Sequence, residues 1–171
     1  MTNSLTPRGP DAEGTYLSNK CNLGHRRLAV VDLLGGVQPM KKKVGDTTFI
    51  ISYNGELYNT LEVKEQLIQE GYNFFSDSDT EVVLTAYLAW GKKSLEYLNG
   101  IFAFGIWNEK NEELFLARDR MGVKPLFYTF LDNNLIFASE IKAILCADNF
   151  SPVLDENGVQ EIIGLGPGRS A

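Results

Sequence analysis

Cysteine and histidine are nearly missing. Cys21, Cys146 and a lone His25 stand among 171 residues. That is too few for a disulfide framework or a zinc site of thiolates and imidazoles. No apolar run approaches the ~20 residues that span a bilayer. The opening MTNSLTPRGP lacks the apolar core of a secretion signal. Basic charge is short as well: 16 Lys+Arg face 22 Asp+Glu, a net charge of −6. Nucleic acid calls for a basic face, so it is not an expected partner. These shortages predict a cytoplasmic, metal-free domain that engages neither membrane nor nucleic acid.

What is present is ordinary for a folded domain. Hydrophobic residues make up 44% and charged residues 22%, which excludes disorder and fibrous architectures. The length suits one domain with a proper core. Aromatic residues alternate along much of the chain. Gly100–Trp107 reads as a strand buried on both faces, and after a polar turn Glu113–Arg118 returns as the next. Leu126–Leu131 and Leu135–Ala138 flank Asp132-Asn133-Asn134 as a second hairpin. Earlier strands are expected at Gly14–Ser18, Leu23–Asp32 and Thr47–Tyr53. Consecutive strands favour antiparallel sheets.

Helices are expected between the strand groups. Asn59 with Glu62 resembles a capping box, and Gly71 would close that helix. Ser78 with Glu81 is a second box, ahead of Val83, Tyr87 and Trp90 on one helical face, with Gly91 as the stop. Short helices are expected at Glu140–Leu145 and Asp155–Ile163. The class is α+β, with helices covering antiparallel sheets. Gly164-Leu-Gly-Pro-Gly-Arg-Ser-Ala171 reads as the start of a linker.

Three constellations could carry chemistry. Asn54-Gly55 follows an apolar strand. As a turn it would satisfy a type I′ hairpin, but Glu56-Leu-Tyr-Asn59 leads toward a helix. Its other use is an oxyanion hole, from the Asn54 carboxamide and the Gly55 N–H, with glycine allowing close approach. Asp79 lies in the first turn of its helix, where it either stabilises the helix dipole or stays ionised to hold an ammonium. Arg26 and Arg27 lie in Gly24-His-Arg-Arg-Leu-Ala-Val-Val-Asp32. Period-two alternation sends them to opposite faces, so one guanidinium needs a partner on the covered side. A carboxylate such as Asp32, or a ligand carboxylate, would serve. Arg118-Asp119-Arg120 suits a structural ion-pair network equally well. Arg27, Asp79 and Asn54/Gly55 together would recognise an α-amino acid with a reactive carbonyl.

The order of motifs adds a resemblance. Arg8-Gly-Pro-Asp11, Gly24-His-Arg-Arg-Leu28, Gly36-Val-Gln-Pro-Met40, Tyr53-Asn-Gly-Glu-Leu-Tyr-Asn59 and Ser78-Asp-Thr-Glu81 occur in series. The chain resembles the class II glutamine amidotransferase domain of the N-terminal nucleophile hydrolase superfamily. Ala117–Tyr128, Ser139–Ala143 and Leu165-Gly-Pro-Gly168 resemble the glutamine-hydrolysing asparagine synthase branch in particular.

The resemblance implies a four-layer αββα sandwich over residues 1–163. Arg27 would bind the glutamine α-carboxylate and Asp79 the α-ammonium. Asn54 and Gly55 would form the oxyanion hole, with Glu56 beside them. The backbone from Leu28 to Val31, including Val30, would line the pocket. In the family an N-terminal Cys attacks the side-chain amide while its α-amine shuttles the proton; ammonia leaves and water releases glutamate. No cofactor is implied in this domain. ATP and magnesium belong to a synthetase domain that amidates aspartate or another carboxylate, and its Ser-Gly-Gly loop is not in this sequence.

The sequence opens Met1-Thr2, where the resemblance implies a cysteine after the initiator methionine. Only seven residues precede Arg8, too few for the family's first strand and helix. A fragment with a missing first strand, no turnover and an exposed sheet edge is therefore expected, with self-association or marginal stability as its cost. The alternative is a non-catalytic interaction module on the same fold.

Overall fold

A computed structural model describes residues 1–28 and 36–165. The chain opens with a 3-10 turn, Thr2–Leu5, then β1 (Ala12–Leu17) and β2 (Asn22–Arg27), an antiparallel hairpin. β3 (Met40–Val44) and β4 (Thr47–Leu57) follow, then α1 (Thr60–Gln69), α2 (Asp79–Trp90) and the short α3 (Ser94–Tyr97). β5 (Gly100–Asn108) and β6 (Glu113–Arg118) complete a four-stranded antiparallel sheet of order β3-β4-β5-β6. A second hairpin joins β7 (Phe127–Leu131) to β8 (Asn134–Ala138), ahead of α4 (Ile141–Leu145) and α5 (Glu156–Leu165).

Alternation along β4 sorts the layers. Ile51, Tyr53 and Leu57 point to one face, where they join Phe102, Phe104 and Ile106 of β5 under Val63 and Leu67 of α1 and Val82, Val83 and Ala86 of α2. Ile50 points the other way and packs with Trp107, Tyr16 of β1 and Leu23 of β2. Phe137 of β8 covers that same face, since a Cβ on Gly105 would lie 3.0 Å from its ring. Both hairpins therefore lie on one side of the central sheet and α1 and α2 on the other. The Thr2–Leu5 turn and α4 pack outside the hairpins, where Ala143 and Ile144 meet Ala138. The result is the αββα layering expected from the motifs, with antiparallel sheets throughout the described residues.

Several elements differ from expectation. β3 was not foreseen because Lys41-Lys42-Lys43 reads as a solvated run; lysines of this kind suit an edge strand. α3 is too short to leave a helical period. β4 does not stop at Tyr53 but continues to Leu57, paired with β5 as far as Gly100. Asn54-Gly55 is thus strand interior, not a hairpin turn. Asn59 makes no side-chain cap to α1; its carboxamide instead joins the Tyr97 carbonyl and the Asn99 N–H. β2 ends at Arg27, and residues 29–35, with Asp32, lie outside the described part.

Candidate active site

The open edge of β4 is the centre of the site. In an antiparallel ladder, backbone N–H and C=O groups point alternately to either neighbour. Tyr58 donates its N–H to the Asn99 carbonyl, so even-numbered residues here face β5. Odd-numbered residues face away. β3 covers that edge only as far as Ile51. Beyond it the Gln38 side chain takes the place of a strand: its Oε1 accepts from Tyr53 N–H at 2.6 Å, and its Nε2 donates to the Tyr53 carbonyl at 2.9 Å. At the far end, Leu57 N–H donates to Asp79 Oδ2 at 3.2 Å. Gly55 lies between the two. Its N–H points out of the sheet in the gap between Gln38 and Asp79, and no described group accepts it.

Glycine is required at that position by space. A Cβ on Gly55 would lie 2.6 Å from the Ile101 carbonyl oxygen and 2.8 Å from Tyr53 Cζ. The Tyr53 ring lies over the Gly55 Cα, and its hydroxyl donates to Asp79 Oδ2 at 3.0 Å. Asp79 is brought there by α2, whose N-cap Ser78 accepts from the Thr80 N–H at 3.2 Å. Burial pushes the Asp79 carboxyl above the usual range, opposed by bonds from Leu57 N–H, Tyr53 hydroxyl and Thr80 N–H, while nearby Glu56 adds to the rise.

Glu81 supports this arrangement rather than closing a capping box with Ser78. It is fully buried and accepts from Phe75 N–H, Ser76 N–H and the Ser76 hydroxyl. The Lys42 ammonium reaches Glu81 at 2.8 Å and also the Asn73 carbonyl and the Thr85 hydroxyl. The loop entering α2 is thereby tied to β3 just ahead of Asp79.

On the other face of β4, β2 runs opposite. Leu23 packs with Ile50, and two residues further along both strands His25 Nδ1 lies 3.3 Å from the Ser52 hydroxyl. Arg26 turns the opposite way, to Asn3 Oδ1 and Glu13. Arg26 therefore has structural partners. Arg27 is half-buried and close enough to His25 to disfavour its protonation. No described group takes up the Asn54 carboxamide. Glu56 and the side chain of Leu28 are exposed. Val30 and Val31 lie outside the described residues.

Arg118 and Asp119 form a separate loop clamp. Asp119 accepts from Phe102, Val123 and Lys124 N–H groups, and Arg118 binds the Lys124 and Gly122 carbonyls. Sequence reasoning did not single out Gln38, Tyr53 or Lys42. Each acts through a partner distant in the chain, and only Gln38 and Tyr53 carried a signal, by falling inside ordered motifs. Among the described residues no cluster of three or more His, Cys, Asp or Glu could hold a metal ion. No helix there is long and apolar enough to cross a membrane.

Layered antiparallel sheets carrying a glycine N–H and a carboxylate at one strand edge place the protein in a recognised class. Residues 1–168 match the glutamine amidotransferase domain family, and the chain belongs to it. It is 48% identical over 170 residues to glutamine-hydrolysing asparagine synthetase 3 of Bacillus subtilis (strain 168), covering 99% of this chain and 28% of that protein. It is 41% identical over 165 residues to asparagine synthetase 1 of the same organism, covering 96% and 26%. The chain thus spans about a quarter of the length of these relatives. Among solved structures it is similar to the glutamine phosphoribosylpyrophosphate amidotransferase of B. subtilis, with TM-score 0.63 and 29% identity over 72% of this chain and 28% of that one. The sequence relatives thus fall in the asparagine synthetase branch named by the motifs, and the structural neighbour shares its N-terminal nucleophile fold.

Proposed function

We propose that this domain binds L-glutamine for release of ammonia, within an asparagine-synthase-like protein of the cytoplasm. Arg27 takes the α-carboxylate and Asp79 the α-ammonium. The Gly55 N–H and the Asn54 carboxamide donate to the oxyanion that forms when the side-chain amide is attacked. Glu56 borders the ammonium site. The domain itself uses no cofactor. The ammonia passes to an ATP- and magnesium-dependent synthetase domain of the longer protein, where aspartate is the acceptor.

The observation that carries this reading is the row of N–H groups along the β4 edge. Tyr53 and Leu57 N–H are taken by Gln38 and Asp79, and Gly55 N–H between them has no acceptor among the described residues. A donor of that kind beside a carboxylate suits an amino acid whose far end develops negative charge.

Neither cysteine serves as the nucleophile. Burial pushes the Cys21 thiol up to about 11, and it packs beside the Tyr16 and Leu23 cluster. Cys146 is exposed beyond α4. Calorimetric titration with L-glutamine tests the reading. Binding is expected in the wild type and about tenfold or more weaker in Arg27→Ala and Asp79→Ala, each of which removes a charged hydrogen-bonding partner. Wild-type protein that ignores glutamine at high concentration would leave only a non-catalytic module on this fold. Ammonia release abolished by Cys21→Ser or by Cys146→Ser would overturn the exclusion of these two thiols.

A further inference from the structure

We infer that Tyr53 is the positioning residue of the ammonium site: its hydroxyl occupies Asp79 Oδ2, so that Oδ1 is the oxygen left for a ligand ammonium. This deepens the glutamine reading above and rests on it. Both strand bonds to Asp79, from the Tyr53 hydroxyl at 3.0 Å and from Leu57 N–H at 3.2 Å, end on Oδ2. A carboxylate held at one oxygen by two donors cannot rotate freely, which directs the other oxygen.

The phenol reaches Asp79 because of Gly55. Tyr53 and Gly55 share a face of β4, and a Cβ on Gly55 would collide with Tyr53 Cζ at 2.8 Å. With no side chain there, the ring runs along the strand instead of standing off it. The ring is itself buried and packs against Phe104 at 6.4 Å between centroids. One rigid aromatic therefore covers the residue that supplies the oxyanion N–H and ends on the carboxylate that receives the ammonium.

Charge follows the same geometry. Burial and Glu56 oppose ionisation of Asp79, while the Tyr53 hydroxyl, Leu57 N–H and Thr80 N–H favour it. The phenol, pushed far up by burial and by Asp79, stays a donor at every working pH. Removing it would free Oδ2 to turn and make the carboxyl easier to protonate.

Tyr53→Phe keeps the ring and deletes the hydroxyl. Carbon-13 NMR of the Asp79 carboxyl, assigned with Asp79→Asn, reads the coupling without any ligand. Titration with L-glutamine and with glutaramate, which lacks the α-ammonium, reads its consequence. The expected results in Tyr53→Phe are a higher Asp79 midpoint and about tenfold weaker glutamine binding, the size of a hydrogen bond to a charged group. The acid limb of glutamine binding should move to higher pH, and glutaramate affinity should not change. An unmoved Asp79 midpoint, or equal losses for both ligands, would overturn the inference and assign Tyr53 to packing alone. A wild type that binds no glutamine, with a midpoint that still moves in Tyr53→Phe, would overturn the glutamine reading and the ligand role of Oδ1 with it.

Discussion

His25 on β2 and Ser52 on β4 meet between the two sheets, with Nδ1 3.3 Å from the hydroxyl oxygen. Burial and, after it, the positive charge of Arg27 bring the imidazole down to about 4 from 6.5. The unfolded chain therefore takes up this proton before the folded one does. Stability from the neutral imidazole is complete above the unfolded value and is lost as pH falls from about 6.5 toward about 4. His25→Gln should show less acid loss than wild type across that window, by up to roughly 3 kcal/mol. Urea melts of both proteins through the window check this; parallel curves would contradict it.

Glu81 and Lys42 form an ion pair in which the carboxylate is fully buried and the lysine side chain is 13% exposed. Glu81→Ala would strand the ammonium and release the loop N–H groups of Phe75 and Ser76. A loss of about 3–5 kcal/mol is expected, the cost of breaking a buried pair from one side. Adding Lys42→Met should recover part of it, because the uncompensated charge is gone. Chemical denaturation of both variants measures the difference.

Gly55→Ala tests the close packing at the strand edge. The new methyl meets a backbone oxygen and the Tyr53 ring, so β4 must shift. About 1–3 kcal/mol of destabilisation is expected from overpacking, a fall in Tm of roughly 2–4 °C for each kcal/mol. Because the displaced ring carries the Asp79 bond, glutamine affinity should fall further than the melting temperature suggests.

Asp79→Asn should separate stability from binding. A carboxyl whose folded value is raised is less willing to ionise in the folded protein than in the unfolded chain. Its ionisation therefore costs stability as pH rises through and above the usual carboxylate range. Asparagine keeps an acceptor for Leu57 N–H and the Tyr53 hydroxyl without that charge. The variant should melt at the same or a higher temperature than wild type at neutral pH, yet bind glutamine more weakly. A neutral-pH melt well below wild type would contradict this account.

Much of the architecture is legible in local patterns. The Gly100–Trp107 and Glu113–Arg118 strands, the Ser78 cap and the Gly71 and Gly91 stops all appear in place, the two glycines with positive φ. These are signals within a few residues, set by side-chain alternation and by the conformations only glycine adopts easily. β3 was hidden because one of its three lysines, Lys42, answers to a partner, Glu81 on α2, that lies far along the chain. The continuation of β4 through Asn54-Gly55 was hidden because local turn chemistry pointed elsewhere, and pairing with β5 decided it.

The order of motifs determined the family and named Arg27, Asp79, Asn54 and Gly55, since residue types and their sequence are written directly in the chain. Which atoms work together was decided only by folding. The outward Gly55 N–H depends on ladder parity and on β3 covering β4 only as far as Ile51. The grip of Tyr53 on Asp79 depends on α2 docking beside that open edge. Such relationships come from pairing between distant segments, which one-dimensional periodicity does not encode.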